Sequence, residues 1–151
     1  MSIIRVLGVD LACRSWRDNG SALLEFGPDG WRDCKVGVIR WPDTPVSVDE
    51  MANAIDGYSR ENGVAAVCLD GPQGWREPGV RADNRDGCGR WCEYETRTPG
   101  KTGEYGITYP RNQVGWISLS IDVFAQLTSL SHILLVNDPQ TKVLTTPNNG
   151  G

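Results

Sequence analysis

An α/β domain built on a mixed sheet is the fold class that the 151-residue chain predicts, and three observations carry it. Two apolar runs rich in β-branched residues, Ile3 to Asp10 and Val64 to Asp70, read as strands. Each ends in an aspartate followed by a turn. Between them lie a hairpin signal and one helical pattern, so the expected order is strand, strand, strand, helix, strand. A connection of that length lets the fourth strand run parallel to the first.

The elements follow in order. After the first strand, Asp18, Asn19 and Gly20 mark a turn, and Ser21 to Phe26 predicts a second short strand. Gly27-Pro28-Asp29-Gly30 has the chemistry of a reverse turn into a third strand, Trp31 to Trp41, which completes an antiparallel meander. Trp41-Pro42-Asp43-Thr44-Pro45 breaks the sheet pattern. Ser47 and Glu50 then form a capping-box signature, and Met51, Ala54, Ile55 and Tyr58 recur at helical spacing. Asn62-Gly63 supplies a left-handed stop. Val64 to Asp70 is almost wholly apolar, the pattern of a central strand covered on both faces.

From about 71 to 115 the composition turns to Gly, Pro, Arg and acidic residues, a loop-rich insertion with one short helical pattern at Cys88 to Thr96. A loop of this length inside a compact domain is functional or disordered, and Trp75, Trp91 and Tyr94 favour a packed, functional one. Trp116 to Leu135 resumes a helical pattern, and the chain closes on a polar tail at Pro147 to Gly151. The length suits one domain, 1–151, that buries roughly 68–70% of the surface of its unfolded chain.

Composition narrows the function classes. Fifteen Lys and Arg against 19 Asp and Glu give a formal charge of −4, which argues against binding nucleic acid by charge alone. The arginines between Arg76 and Arg111 still leave room for a local basic strip. No secretory signal or membrane-length apolar run is visible, so a cytoplasmic protein with no membrane partner is expected. Cys13, Cys34, Cys68, Cys88 and Cys92 are odd in number and irregular in spacing, which predicts free thiols. Cys88 and Cys92 lack the second ligand pair that a zinc site needs. His132, the sole histidine, falls in an apolar helical pattern and leaves a serine or cysteine nucleophile without a partner.

The chemistry-bearing pattern is the pair Asp10 and Asp70. On adjacent parallel strands about 4.8 Å apart, their carboxylates would meet at one edge of the sheet, hard oxygen ligands suited to Mg²⁺ or Mn²⁺. Such a centre activates water and stabilises a leaving oxygen in phosphodiester hydrolysis. Taken singly, each aspartate also fits a turn-forming role, for Asp after a strand often hydrogen-bonds its own backbone. Among the six tryptophans, Trp75 and Trp91 flank the loop and are the candidates for stacking on bases, the others reading as packing residues. Gly71-Pro72-Gln73-Gly74 is followed by Trp75 and Arg76 instead of the lysine and hydroxyl of a phosphate loop.

The opening GVDLA with Asp10, the strand end LDGPQGWR with Asp70 and the stretch GRWCEYETRTPG together resemble domain-of-unknown-function family 429 (DUF429), whose members are regarded as predicted nucleases of the RNase H-like fold. The likeness runs from about Ile3 to Thr98, with Trp116 to Leu135 similar to a later helix of the family. It implies a five-stranded mixed sheet of order 3-2-1-4-5 with flanking helices, and a divalent-metal site at Asp10 and Asp70. It also places Arg90, Glu93 and Arg97 on a segment facing that site, with Glu93 a third catalytic carboxylate and the arginines, Arg76 among them, holding phosphate oxygens. Spacing alone favours a different role for Glu93, an exposed helix carboxylate paired with Arg90 or Arg97. Family members continue into a fifth strand and a further acidic residue, whereas here only Asp122 and Asp138 remain downstream, neither in the expected place. A truncated or minimal member, completed by a partner chain or a second copy, is therefore expected.

The leading expectation is a metal-dependent nuclease acting on nucleic acid. Two rivals keep the sheet and change the class: a non-catalytic RNase H-like binding or interaction module, and an actin-like nucleotide-binding ATPase relative, which would call for a second homologous half.

Overall fold

The computed structural model describes residues 3–41, 47–77, 89–98, 101–130 and 141–142. The chain divides into two compact units, Met1–Gly71 and Pro72–Gly151, and the boundary falls where the composition turns to Gly, Pro and Arg.

The first unit holds β1 (Ile4–Asp10), β2 (Gly20–Gly27), β3 (Gly30–Val36), α1 (Val48–Asn62) and β4 (Ala66–Asp70). Its sheet has the order β3-β2-β1-β4, antiparallel from β1 to β3 and parallel between β1 and β4. This is a mixed α/β architecture with four of the five expected strands in the expected order. Among the described residues no fifth strand joins this sheet, and β4 has β1 as its one neighbour.

Strand alternation divides the sheet into two unlike faces. Leu7, Val9 and Leu23 are buried on one face, and Met51, Ala52 and Ile55 make the buried stripe of α1 at helical spacing. These residues are the core of the unit. Full burial of Leu7, Met51 or Ile55 contributes about 1.5–3 kcal/mol each, well above what a solvent-screened rim ion pair such as Arg5 with Glu25 at 2.8 Å adds. That pair still orders the charges: the Arg5 hydrogen bond holds the Glu25 carboxyl below its usual range.

In the first unit three features differ from the sequence reading. β3 stops at Val36 and does not run to Trp41, because Gly37 turns the chain in the left-handed region (φ 64°). The N–H groups of Gly37 and Ile39 then donate to the Ser21 carbonyl and hydroxyl at 2.7 and 2.9 Å. The expected capping box does not form: Ser47 has the extended cap conformation, but its hydroxyl makes no cap hydrogen bond. β4 is not covered on both faces. Ala66, Cys68 and Asp70 are exposed and Val67 and Leu69 half-buried, as suits a strand at the margin of the four.

The stop of α1 is as expected. Gly63 (φ 59°) donates to the Arg60 carbonyl at 3.3 Å and Val64 to the Ser59 carbonyl at 2.9 Å, the paired closure of a Schellman motif. Arg5 ties this corner to the sheet, accepting from Ala65 N–H at 2.8 Å and donating from its guanidinium to the Asn62 carbonyl at 3.0 Å.

The second unit contains β5 (Trp75–Arg76), α2 (Trp91–Glu95), β6 (Lys101–Thr102), β7 (Thr108–Tyr109), α3 (Val114–Ser129) and β8 (Thr141–Lys142). β5 pairs with β8 and β6 with β7, both antiparallel. Where described, the loop-rich region is therefore ordered around short elements. The expected helix at Cys88 to Thr96 is narrower, and Cys88 lies outside the described residues. α3 starts two residues earlier than Trp116, after a 3-10 turn at Arg111–Gln113, and ends at Ser129; residues 131–135, His132 among them, lie outside the described residues. Trp75, Ile117 and Ile121 form its apolar cluster, with Trp116 packed against them.

Replacing Gly63 by alanine keeps the contacts of α1 but forces a Cβ into the left-handed region, at a cost of about 1–2 kcal/mol. Urea denaturation is expected to show that loss at an unchanged slope.

Candidate metal centre

Asp10 is the last residue of β1 and Asp70 the last of β4, and the parallel register makes them direct partners. The strand spacing of about 4.8 Å therefore sets the separation of their backbones. Paired residues of neighbouring strands project to the same face, and here it is the open one: both aspartates are exposed. Among the described residues no protein group bonds either carboxylate, so neither makes the turn-forming hydrogen bond that aspartate often makes after a strand.

That arrangement fits one hard divalent ion with oxygen ligands. Mg²⁺ commonly takes one or two carboxylates and keeps several waters, so two protein ligands suffice to hold it while leaving positions for a substrate oxygen. Among the described residues no group of three or more His, Cys, Asp or Glu gathers in a geometry that could hold a metal.

Beside the pair lies an open groove of about 680 Å³, wholly within the first unit. Across the sheet, Val36, Ala22, Gly8 and Cys68 stand in one cross-strand row, one step from Asp10 and Asp70. Ile39 and Trp41, from the segment after β3, also line it. So does Asn19, which is 8% exposed. Its Oδ1 accepts from Ala12 N–H at 2.7 Å, while its Nδ2 and the indole N–H of Trp41 are buried without an acceptor. Asn19 was legible only as a turn residue, since nothing in local spacing shows that it bonds back across seven residues.

The remaining candidates belong to the second unit. Glu93 is 6% exposed, and both of its oxygens are engaged. Oε2 accepts from the N–H groups of Arg90 and Thr102 at 2.9 and 3.0 Å. Oε1 accepts from Arg90 Nη2 at 3.1 Å and from the Thr102 hydroxyl at 2.7 Å. The pairing with Arg90 is the one expected from the i, i+3 spacing, but burial by β6 makes it an internal latch, where an exposed helix pair had been read. Arg90 is equally buried, and Arg76 is buried beside Glu104 at 3.7 Å. Trp75 is 6% exposed in the apolar cluster, with the Tyr105 ring 5.7 Å away at an angle of 61°, so its ring is a packing surface. The side chain of Trp91 lies outside the described residues. Arg97 is the exposed arginine of the set, and it holds a left-handed conformation (φ 55°) as the closing residue of α2. Asp122 lies mid-way along α3, where partial burial raises its carboxyl above the usual range, and Asp138 lies outside the described residues.

Cys13, Cys34, Cys68 and Cys92 are free thiols, as their irregular spacing predicts. No family model matches the chain, and neither a curated protein nor a solved structure matches it. Among the described residues no helix is long and apolar enough to cross a membrane.

Removing the Glu93 carboxylate strands a buried guanidinium, so Glu93→Ala is expected to cost about 3–5 kcal/mol of stability, read as a fall in the urea midpoint. Arg97→Gly should do the opposite. Relief of the left-handed strain outweighs the added chain entropy of glycine, and the same measurement should show a gain of about 0.5–1 kcal/mol.

Proposed function

We propose that the chain is a divalent-cation-dependent phosphodiesterase acting on nucleic acid, with Asp10 and Asp70 as its metal ligands and Mg²⁺ or Mn²⁺ as its cofactor. One observation carries this reading: Asp10 and Asp70 are register partners at two parallel strand ends, both exposed, with no bonded partner among the described residues. A sheet that pays for two facing negative charges with no internal compensation is arranged for an external cation. The four-stranded order also supports an RNase H-like assignment, with a fifth strand beyond β4 as part of the same proposal.

Asp10 and Asp70 would hold the ion, fixed in direction by the sheet. When bound, the ion supplies a lowered pKa for water and neutralisation of phosphate charge. The open groove beside the pair gives the scissile group access from the solvent side.

A second reading keeps the metal and removes turnover. Glu93, the third carboxylate of the resemblance, spends both oxygens on Arg90 and Thr102, which favours a metal-dependent binding module.

Calorimetric titration with Mn²⁺ tests the centre. Asp10→Asn and Asp70→Asn should each weaken binding by more than the roughly 10–100-fold that loss of an outer-shell partner costs. No binding to the wild type would remove both readings, whereas binding without cleavage of single-stranded, duplex or hybrid oligonucleotides would leave the second. Stability gives an independent check. In chelator, Asp70→Asn should be more stable than the wild type by roughly 0.2–1 kcal/mol, because a like-charge pair is relieved. Saturating Mg²⁺ should reverse the order, since only the wild type gains from binding.

A further inference from the structure

One hairpin of the second unit presents apolar surface that its own packing does not use. β6 and β7 pair Lys101 with Tyr109 and Thr102 with Thr108. The connection closes tightly: Ile107 N–H donates to the Glu104 carbonyl at 2.8 Å and Gly103 N–H to the Ile107 carbonyl at 2.7 Å, with Gly106 in the left-handed region (φ 78°). Along this fixed turn exposure alternates. Thr108 is 5% exposed, whereas Tyr105 is 78% exposed and Ile107 and Tyr109 50% each. An isolated exposed apolar side chain is ordinary, but three at every second position of one ordered hairpin mark a contact surface.

Geometry and charge point to the occupant. Residues two apart on an antiparallel strand stand about 6.8 Å apart, twice the step of about 3.4 Å between stacked bases, so the interval from Ile107 to Tyr109 takes one base. Tyr105, at the tip of the turn, has its ring 5.7 Å from that of Trp75, which steadies it before any ligand arrives. The surroundings are cationic. Lys101, the cross-strand partner of Tyr109, is anchored by Nζ donating to the Glu93 and Thr98 carbonyls, and Arg111 is exposed two residues beyond Tyr109. From Arg97 to Arg111 the single carboxylate in the sequence is Glu104, and Arg76 lies 3.7 Å from it. The net charge of −4 falls wholly in the first unit, with seven Lys and Arg against 11 Asp and Glu, while the second is balanced at eight against eight. A phosphate backbone meets no excess negative charge in the second unit.

Exposed rings at a stacking interval with cations beside them suit unpaired bases on a single strand. We propose that the strip of Tyr105, Ile107 and Tyr109 binds single-stranded nucleic acid, bases stacking on the two tyrosines and Lys101 and Arg111 attracting the phosphates. This rests on the phosphodiesterase reading for the class of polymer, adds a contact surface to it and names the preferred strand state. A duplex keeps its bases stacked on one another and offers none to the tyrosines.

The test is fluorescence anisotropy with a labelled short oligothymidylate, carried out in chelator so that the metal centre plays no part. The wild type should bind it more tightly than a duplex of the same length. Tyr105→Ala and Tyr109→Ala should each weaken binding by roughly 5–150-fold, the loss of one stacked base. Tyr105→Phe and Tyr109→Phe, which keep the ring, should bind as the wild type does. Tyr109→Ala carries the test alone if Tyr105→Ala disturbs Trp75. No binding by the wild type, equal affinity for duplex and single strand, or full affinity in a folded alanine variant would overturn the proposal. In the first case, self-association in sedimentation that Tyr109→Ala abolishes would make the strip an interface between copies instead. Failure here leaves Asp10 and Asp70 as a metal centre, and single-strand binding in chelator upholds the strip even where the Mn²⁺ titration is flat.

Discussion

The parallel pairing of β1 with β4 is the constraint on which the rest of the first unit depends. Because side chains alternate along a strand, a slip of one residue in this register would turn Asp70 to the buried face and bring Leu69 out beside Asp10. Three devices fix the register. α1 supplies the crossover length, Gly63 ends it abruptly, and Arg5 grips the corner through both its backbone carbonyl and its guanidinium. The polar end of the sheet is thus determined by residues remote from it in sequence.

Much of this was legible in the chain because it rests on local chemistry. The first strand, the turn at Gly27 to Gly30, the stripe of α1 and its glycine stop all follow from periodicity and turn residues, and the two aspartates are visible as strand ends. What was hidden depends on partners far along the chain. The apolar run of β4 reads as a central strand because Ala66 and Cys68 are small and uncharged, yet both are exposed. Glu93 shows its helix spacing to Arg90 but not its burial, which comes from Thr102 nine residues on. Asn19 reads as one more turn residue, although its side chain braces the backbone beyond β1.

The second unit uses charge differently from the first. The Arg90 and Glu93 charges are withdrawn from water and matched by a dense set of hydrogen bonds, so the pair specifies how α2 meets β6 more than it adds net stability. In the first unit the two carboxylates at the strand ends remain open to solvent and, among the described residues, without bonded partners. Acidic residues of the same chemical kind thus divide into internal bracing and an outward-facing pair, and the difference is made by what packs over them.

Among the described residues β4 has one bonded neighbour, and its far side is the edge at which the proposed fifth strand would pair. Natural sheets guard such margins with proline, lysine or a bulge, and the sequence Ala66-Val67-Cys68-Leu69-Asp70 has none of the three. Its single charge is Asp70. Asp70, proposed above as a cation ligand, is therefore also the one charge that guards this edge against templated self-association.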